Sequence, residues 1–180
     1  LGINRNEIST AYMFGTIGSS FILTWAGKKY DKYGARWTAI AAAFLLAFVL
    51  VLLSQSDRII HFFSDNRESA FYSGTAIGVM IVLFFMLRFS GQGVLTMVSR
   101  NMLMKWFTAR RGLVNGILSV FVALGFSATP LTFDWLIQSS SWRMAWLMMA
   151  AVIGICFTLF AFFFFRDNPE DFGMIPDGEK

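Results

Sequence analysis

Five long apolar runs, each near the length of a membrane crossing, constrain this chain more than any other feature. A hydrocarbon core of about 30 Å takes about 20 residues of helix at 1.5 Å per residue. The runs cover residues 9–26, 37–54, 74–98, 113–133 and 142–165. The second contains AAAFLLAFVLVLL, the third is interrupted by Arg88, the fourth carries Pro130, and the fifth closes on Phe162 to Phe165. The runs are about twice the length of a barrel strand and do not alternate with a period of two. In lipid every backbone amide must be satisfied within the segment, which a helix does. The pattern predicts an all-α membrane protein. The longest gap, Gln55 to Ser73, leaves no room for a soluble domain.

Composition agrees and excludes several classes. Of 180 residues, 56% are hydrophobic and 14% charged, against about 25% charged in soluble domains. Aromatic residues at 17% are incompatible with a disordered chain. The net charge of +4 comes from Lys and Arg in the loops rather than on one basic face, which argues against a nucleic-acid partner. Cys156 and His61 are each the sole residue of their type. They provide neither a disulfide framework nor a metal cluster. No Asp or Glu lies inside a run, Asp134 being only at a helix end, and no phosphate-binding loop is present. A membrane-embedded enzyme needs a convergent acid, base or nucleophile set, and none is visible. The expectation is no catalytic residue, no metal and no cofactor.

Orientation follows from the basic residues between the runs. The first loop carries Lys28, Lys29, Lys32 and Arg36; the third carries Arg100, Lys105, Arg110 and Arg111. The second holds Arg58 and Arg67, and the fourth Arg143. Eight against three places the first and third loops in the cytoplasm, with the C-terminal end also inside. Within the external second loop, Ile59, Ile60, Phe62 and Phe63 suggest a short interfacial helix. An odd number of spans, a start at Leu1 and no signal peptide lead to the expectation of a piece of a larger protein, lacking at least one helix at its front.

The first loop reads Gly27-Lys-Lys-Tyr-Asp31-Lys-Tyr-Gly34-Ala-Arg36, a G-x-x-x-D-x-x-G-x-R pattern joining two spans. It resembles the loop between the second and third helices of the major facilitator superfamily. Arg88-Phe-Ser-Gly91-Gln92-Gly93 is similar to that superfamily's fourth-helix element. The resemblance covers nearly the whole chain. It implies residues 1–165 as an N-terminal six-helix bundle lacking helix one, and 166–180 as the start of the cytoplasmic central loop. Trp106-Phe107, Arg110-Arg111-Gly112, Gly116, Ser141-Trp142-Arg143, Arg166-Asp-Asn-Pro-Glu170 and Pro176-Asp-Gly178 resemble the bacterial monocarboxylate and oxalate–formate type branch. Gly125 to Pro130 departs from the G-P-x-x-G-G element of drug–proton antiporters, which argues against drug efflux.

What the resemblance implies is alternating-access transport of a small solute, such as a monocarboxylate, across a bacterial inner membrane. The solute would sit between this bundle and the C-terminal half. Coupling would be to protons or a counter-substrate, with any coupling carboxylate on helix one or in the second half. The implied gating set is Gly27, Asp31, Gly34, Arg36 and Arg100, with Asp31 pairing Arg100. Taken by its residues alone, the loop reads first as a tight, solvated, positive-inside connection.

Arg88, Gln92, Thr96 and Ser99 fall on one helix face, and Asn115, Ser119 and Ser127 nearly do so. Polar faces in lipid turn towards protein or a water-filled cavity. Arg88, Gln92, Thr96, Asn115 and Ser119 are therefore the cavity candidates. The alternative is interhelical hydrogen bonding, worth about 0.6 kcal/mol a pair, in a packing or assembly subunit that transports nothing. Arg88 is the one charge deep within a span, and it either borders a cavity or is tied to backbone carbonyls. The glycine pairs Gly15/Gly18, Gly74/Gly78, Gly91/Gly93 and Gly112/Gly116 are read as points of close helix approach.

Overall fold

The computed structural model describes residues 4–63 and 70–175. Arg67 and Pro176 to Gly178 lie outside these. The described residues form helices long and apolar enough to cross a membrane. Phe21, Phe48, Leu131 and Phe164 are all more than half exposed, as suits a protein whose solvent is hydrocarbon.

Helix α1 runs from Arg5 to Ser54, and its start is closed by the Asn4 amide donating to the Glu7 carboxylate at 2.7 Å. It contains both of the first two predicted spans. The expected loop 27–36 is helical except at Gly34, whose φ of 79° and ψ of 177° break the helix into limbs 5–33 and 35–54. The basic side chains do not oppose helix here, because long Lys stems keep their charge in water from any helical position. The reversal therefore falls to the one residue without a Cβ. Ala11 packs in one cluster with Leu46, Val49, Leu50 and Leu53, so the limbs fold back on each other.

Helix α2 (Ser56–Phe63) follows at the end where α1 closes. Ile60 is fully buried against Tyr72 and Ala76, while Phe62 and Phe63 stand exposed. A short helix forms where the sequence suggests one.

The third span is longer than predicted and not uniform. Helix α3 (Ala70–Leu87), a π-helical stretch (Arg88–Leu95) and α4 (Thr96–Trp106) run on continuously. The wider turn coincides with Gly91 and Gly93, and with Ser90 donating to the Met86 carbonyl at 2.7 Å. Such stretches often mark functional positions. α3 and the π-helical stretch pack most closely on α1: a Cβ on Gly15 would lie 2.7 Å from the Phe85 amide nitrogen.

Helix α5 (Arg111–Ser139) spans the fourth run with Pro130 inside it, and none of its described side chains is buried. It touches α6 (Trp142–Ala151), where Phe133 meets Trp146 edge-on at 5.0 Å. Ser141 caps α6 by accepting from the Met144 amide at 3.2 Å. A second π-helical stretch (Val152–Phe157) leads into α7 (Thr158–Phe164). There Gly154 lies so near Ala47 that an added Cβ would be 2.9 Å from its methyl. The glycine expectation holds at Gly15, Gly18, Gly91 and Gly93, where an added Cβ would meet a neighbouring helix, and is corrected at Gly74, Gly78, Gly112 and Gly116, which have no described neighbour within reach of a Cβ.

Candidate functional site

Two arrangements of polar residues stand out, one at the Gly34 turn and one midway along the third span. At the turn, α7 ends at Phe164 and the segment after it crosses beneath α1. Asp167 accepts a hydrogen bond from the Ala35 amide, the first free N–H of the second limb. A carboxylate there satisfies an orphan donor and complements the positive end of the helix. Arg36 Nε donates to the Phe165 carbonyl at 3.0 Å. From the other side, Trp106 Nε1 donates to the Arg166 carbonyl at 3.2 Å, and Lys105 Nζ donates to Asn168 Oδ1 at 3.1 Å. Residues 165–168 are thus held between the Gly34 turn and the end of α4.

Of the predicted gating set, Gly34 and Arg36 belong to this clamp, and Gly27 lies where a Cβ would be 3.9 Å from Met97 Sδ. Asp31 and Arg100 are both exposed, and among the described residues no ion pair joins them. The carboxylate at the turn is Asp167 instead. The Arg-Asp-Asn-Pro-Glu stretch was visible in the sequence only as a marker of likeness, because nothing local shows that it returns to a loop more than a hundred residues earlier.

The second arrangement lies between the first limb of α1 and the π-helical stretch. Arg88, Gln92 and Gly93 line a cavity of about 190 Å³ together with Thr16, Ser19 and Ser20. The Thr16 hydroxyl donates to the Tyr12 carbonyl at 2.8 Å, and Ser19 and Ser20 both donate to the Thr16 carbonyl. With their protons spent on their own helix, these hydroxyls offer lone pairs to the cavity. The Arg88 guanidinium lies over the Tyr12 ring at 5.2 Å, and Tyr12 meets Phe84 edge-on at 5.6 Å. Its N–H groups have no hydrogen-bond partner among the described residues.

The structure therefore brings Arg88 and Gln92 together and leaves the other candidates apart. The Thr96 hydroxyl turns back to the Gly91 carbonyl at 3.5 Å. Asn115 Nδ2 reaches Met104 Sδ at 3.7 Å, and Ser119 donates to the Asn115 carbonyl, both on the exposed helix α5. Thr16, Ser19 and Ser20 were not singled out in the sequence. Their T-x-x-S-S spacing, in a span rich in small residues, was the available signal.

At the opposite end, Arg143 at the start of α6 forms an ion pair with Asp57 of α2. Burial opposes ionisation of Asp57. The Arg143 hydrogen bond and charge, with the amides of Arg58 and Asp57 itself, outweigh it and hold the carboxyl below its usual value of 3.8. A depressed carboxyl pKa stabilises the fold above the unfolded-state value, and that contribution disappears as pH falls through the folded value. Asp57→Asn is therefore expected to lower the melting temperature at pH 7 and to make no difference in strong acid. A melting temperature at pH 7 equal to wild type would mean the pair contributes nothing.

The family model of the Major Facilitator Superfamily matches residues 1–173. A probable sulfoacetate transporter of Cupriavidus necator is 25% identical over 173 residues, an overlap of 92% of this chain and 36% of that relative. The chain thus spans about a third of the length of the curated relative it matches. No solved structure matches the chain.

Proposed function

The chain belongs to the Major Facilitator Superfamily, and on that premise we propose that it moves a small organic anion, a carboxylate or sulfonate, by alternating access. The observation that carries this is Arg88, a guanidinium in a membrane-embedded π-helical stretch, with its donors unspent beside a cavity lined by Thr16, Ser19, Ser20 and Gln92. A charge this deep in a span is retained where it has work or a partner. The planar fork of Arg suits a carboxylate or sulfonate better than a Lys ammonium does. The hydroxyl lone pairs opposite would accept a hydrogen bond from a donor on the solute, such as the hydroxyl of lactate. The similarity to a relative named for sulfoacetate points to the same class of substrate.

On this reading residues 1–165 serve as an N-terminal bundle without its first helix, in the inner membrane of a bacterium. A first helix and a second half complete the cavity. The clamp at Gly34 closes the cytoplasmic side, and coupling to protons or a counter-substrate uses groups outside this chain. The test is uptake of radiolabelled acetate, lactate and sulfoacetate by proteoliposomes of the intact protein. Saturable uptake of at least one, competed by the others, supports the proposal. Uptake of neutral solutes alone, or of none, removes it.

Orientation is tested separately. In a Cys156→Ser background, Phe62→Cys is expected to react with an impermeant maleimide added to intact cells, and Lys32→Cys only after the cells are opened. The reverse pattern would place the basic loops outside.

A further inference from the structure

A larger cavity, of about 570 Å³, lies beside the Gly34 turn and apart from the polar one. It opens between the two limbs of α1 and is backed by Phe89 and Val94 of the π-helical stretch. Its walls are apolar, with Ala41, Ala42 and Leu45 along one side. Its mouth is different. Trp25, Tyr33 and Trp37 ring it, each about half exposed or more. Lys29 stands among them, its ammonium 5.1 Å from the Trp25 ring and 5.6 Å from the Tyr33 ring. Among the described residues no carboxylate pairs with it.

In the wall of the cavity one polar atom is left over. Thr38 is buried at 9% exposure, and its hydroxyl has no hydrogen-bond partner among the described residues. A helical Thr ordinarily bonds the carbonyl four residues back. Here that carbonyl belongs to Gly34, which is out of helical conformation. The break that turns the chain therefore also leaves an unpaired hydroxyl buried in the cavity wall.

We propose that this cavity binds an anionic phospholipid, its acyl chain between the limbs of α1 and its phosphate at Lys29. Each part of such a lipid has a counterpart. Apolar walls of this size take a hydrocarbon chain, since ligand cavities run about 300–1,000 Å³. Trp and Tyr rings sit at the level of lipid headgroups. The Lys29 ammonium, unpaired among the described residues, with Lys28 and Lys32 near it at the end of the same helical limb, supplies the charge complement to a phosphodiester. Such a lipid would brace the Gly34 turn from the side opposite the Asp167 clamp.

The test uses the intact protein and two probes, phosphatidylglycerol and phosphatidylcholine, with retained lipid counted by native mass spectrometry. Wild type is expected to retain phosphatidylglycerol and to shed phosphatidylcholine. Lys29→Gln is expected to weaken retention about fivefold, the worth of one cation at an anionic surface. Ala41→Phe keeps every charge but fills the cavity, and is expected to abolish retention. Arg58→Gln, at an exposed position of α2 away from the cavity, is expected to change nothing. Should both cavity variants fail to fold, wild type still decides: brominated phosphatidylglycerol must quench tryptophan emission more than brominated phosphatidylcholine. Equal retention or equal quenching of the two lipids overturns the proposal. So does wild-type retention by both Lys29→Gln and Ala41→Phe. Protection of Ala41→Cys from maleimide in lipid-free detergent would show that protein fills the cavity, which also overturns it.

Discussion

Gly34→Ala is expected to destabilise the chain by about 3 kcal/mol and to abolish transport. Two independent costs meet at this residue. Its φ of 79° with ψ of 177° lies in a region essentially reserved for glycine, and forcing another residue there costs about 1–3 kcal/mol. In addition, an added Cβ would lie 2.5 Å from both carboxylate oxygens of Asp167. The methyl must displace Asp167, which strips the Ala35 amide of its acceptor. Losing a cap of this type costs about 1 kcal/mol. Melting in detergent, read from tryptophan emission, measures the sum. Asp167→Ala separates the parts, since it removes the cap and the clash while leaving the backbone unstrained. It is expected to cost about 1 kcal/mol, and Gly34→Ala/Asp167→Ala to be about as stable as Gly34→Ala alone, since both carry the strain and both lack the cap. If Gly34→Ala melts and transports like wild type, the turn is not built as described.

The parts of the fold visible in the sequence are those dictated by the solvent. Hydrocarbon demands length and apolarity from any helix that crosses it, so 37–54 and 142–165 announce themselves by composition alone. What lies in water is under no such demand. Lys28 to Tyr33 read as a loop because they are charged, yet they continue the helix, and only Gly34 departs from it. The π-helical stretches at Arg88–Leu95 and Val152–Phe157 have no periodicity of their own that a hydrophobic pattern reveals. They follow from packing against α1, which the local sequence does not encode.

The site divides on the same line. Arg88 and Gln92 stand out because polarity inside a span is costly, so any polar residue there is conspicuous. Thr16, Ser19 and Ser20 line the same cavity but are cheap to bury, as each satisfies its hydroxyl on its own helix, and so they do not stand out. Asn115 and Ser119 share the polar signal of Arg88 without its position, since a stripe on one helix says nothing about which neighbour it faces. At the turn, Asp31 was the obvious partner for a cation by motif, whereas the contact that forms depends on where α7 delivers Asp167.

Arg88→Ala is expected to lower transport of the anion about a hundredfold or more while leaving insertion intact or improved. Arg88 stands 14 residues after Gly74 and 10 before Val98. Ten residues of helix is about 15 Å, farther than the side chain can snorkel. Carrying the charge to that depth costs at least about 2.5 kcal/mol, which alanine would relieve. What alanine forfeits is the substrate contact. Hydrogen bonds to charged groups are worth about 1.5–3 kcal/mol each, and a bidentate pair doubles that. Arg88→Lys keeps the charge and loses the fork, so its loss should be smaller, about tenfold, and should fall mainly on KM. A purely structural Arg88 makes a different set of results. Its one close aromatic partner is Tyr12, so in that case Arg88→Lys and Tyr12→Leu would lower the melting temperature alike, and transport would follow stability. Tyr12→Phe keeps the ring under the guanidinium and is expected to behave as wild type in both. Uptake by Arg88→Ala at the wild-type rate would remove Arg88 from the site and, with it, the observation on which the proposed transport of an anion rests.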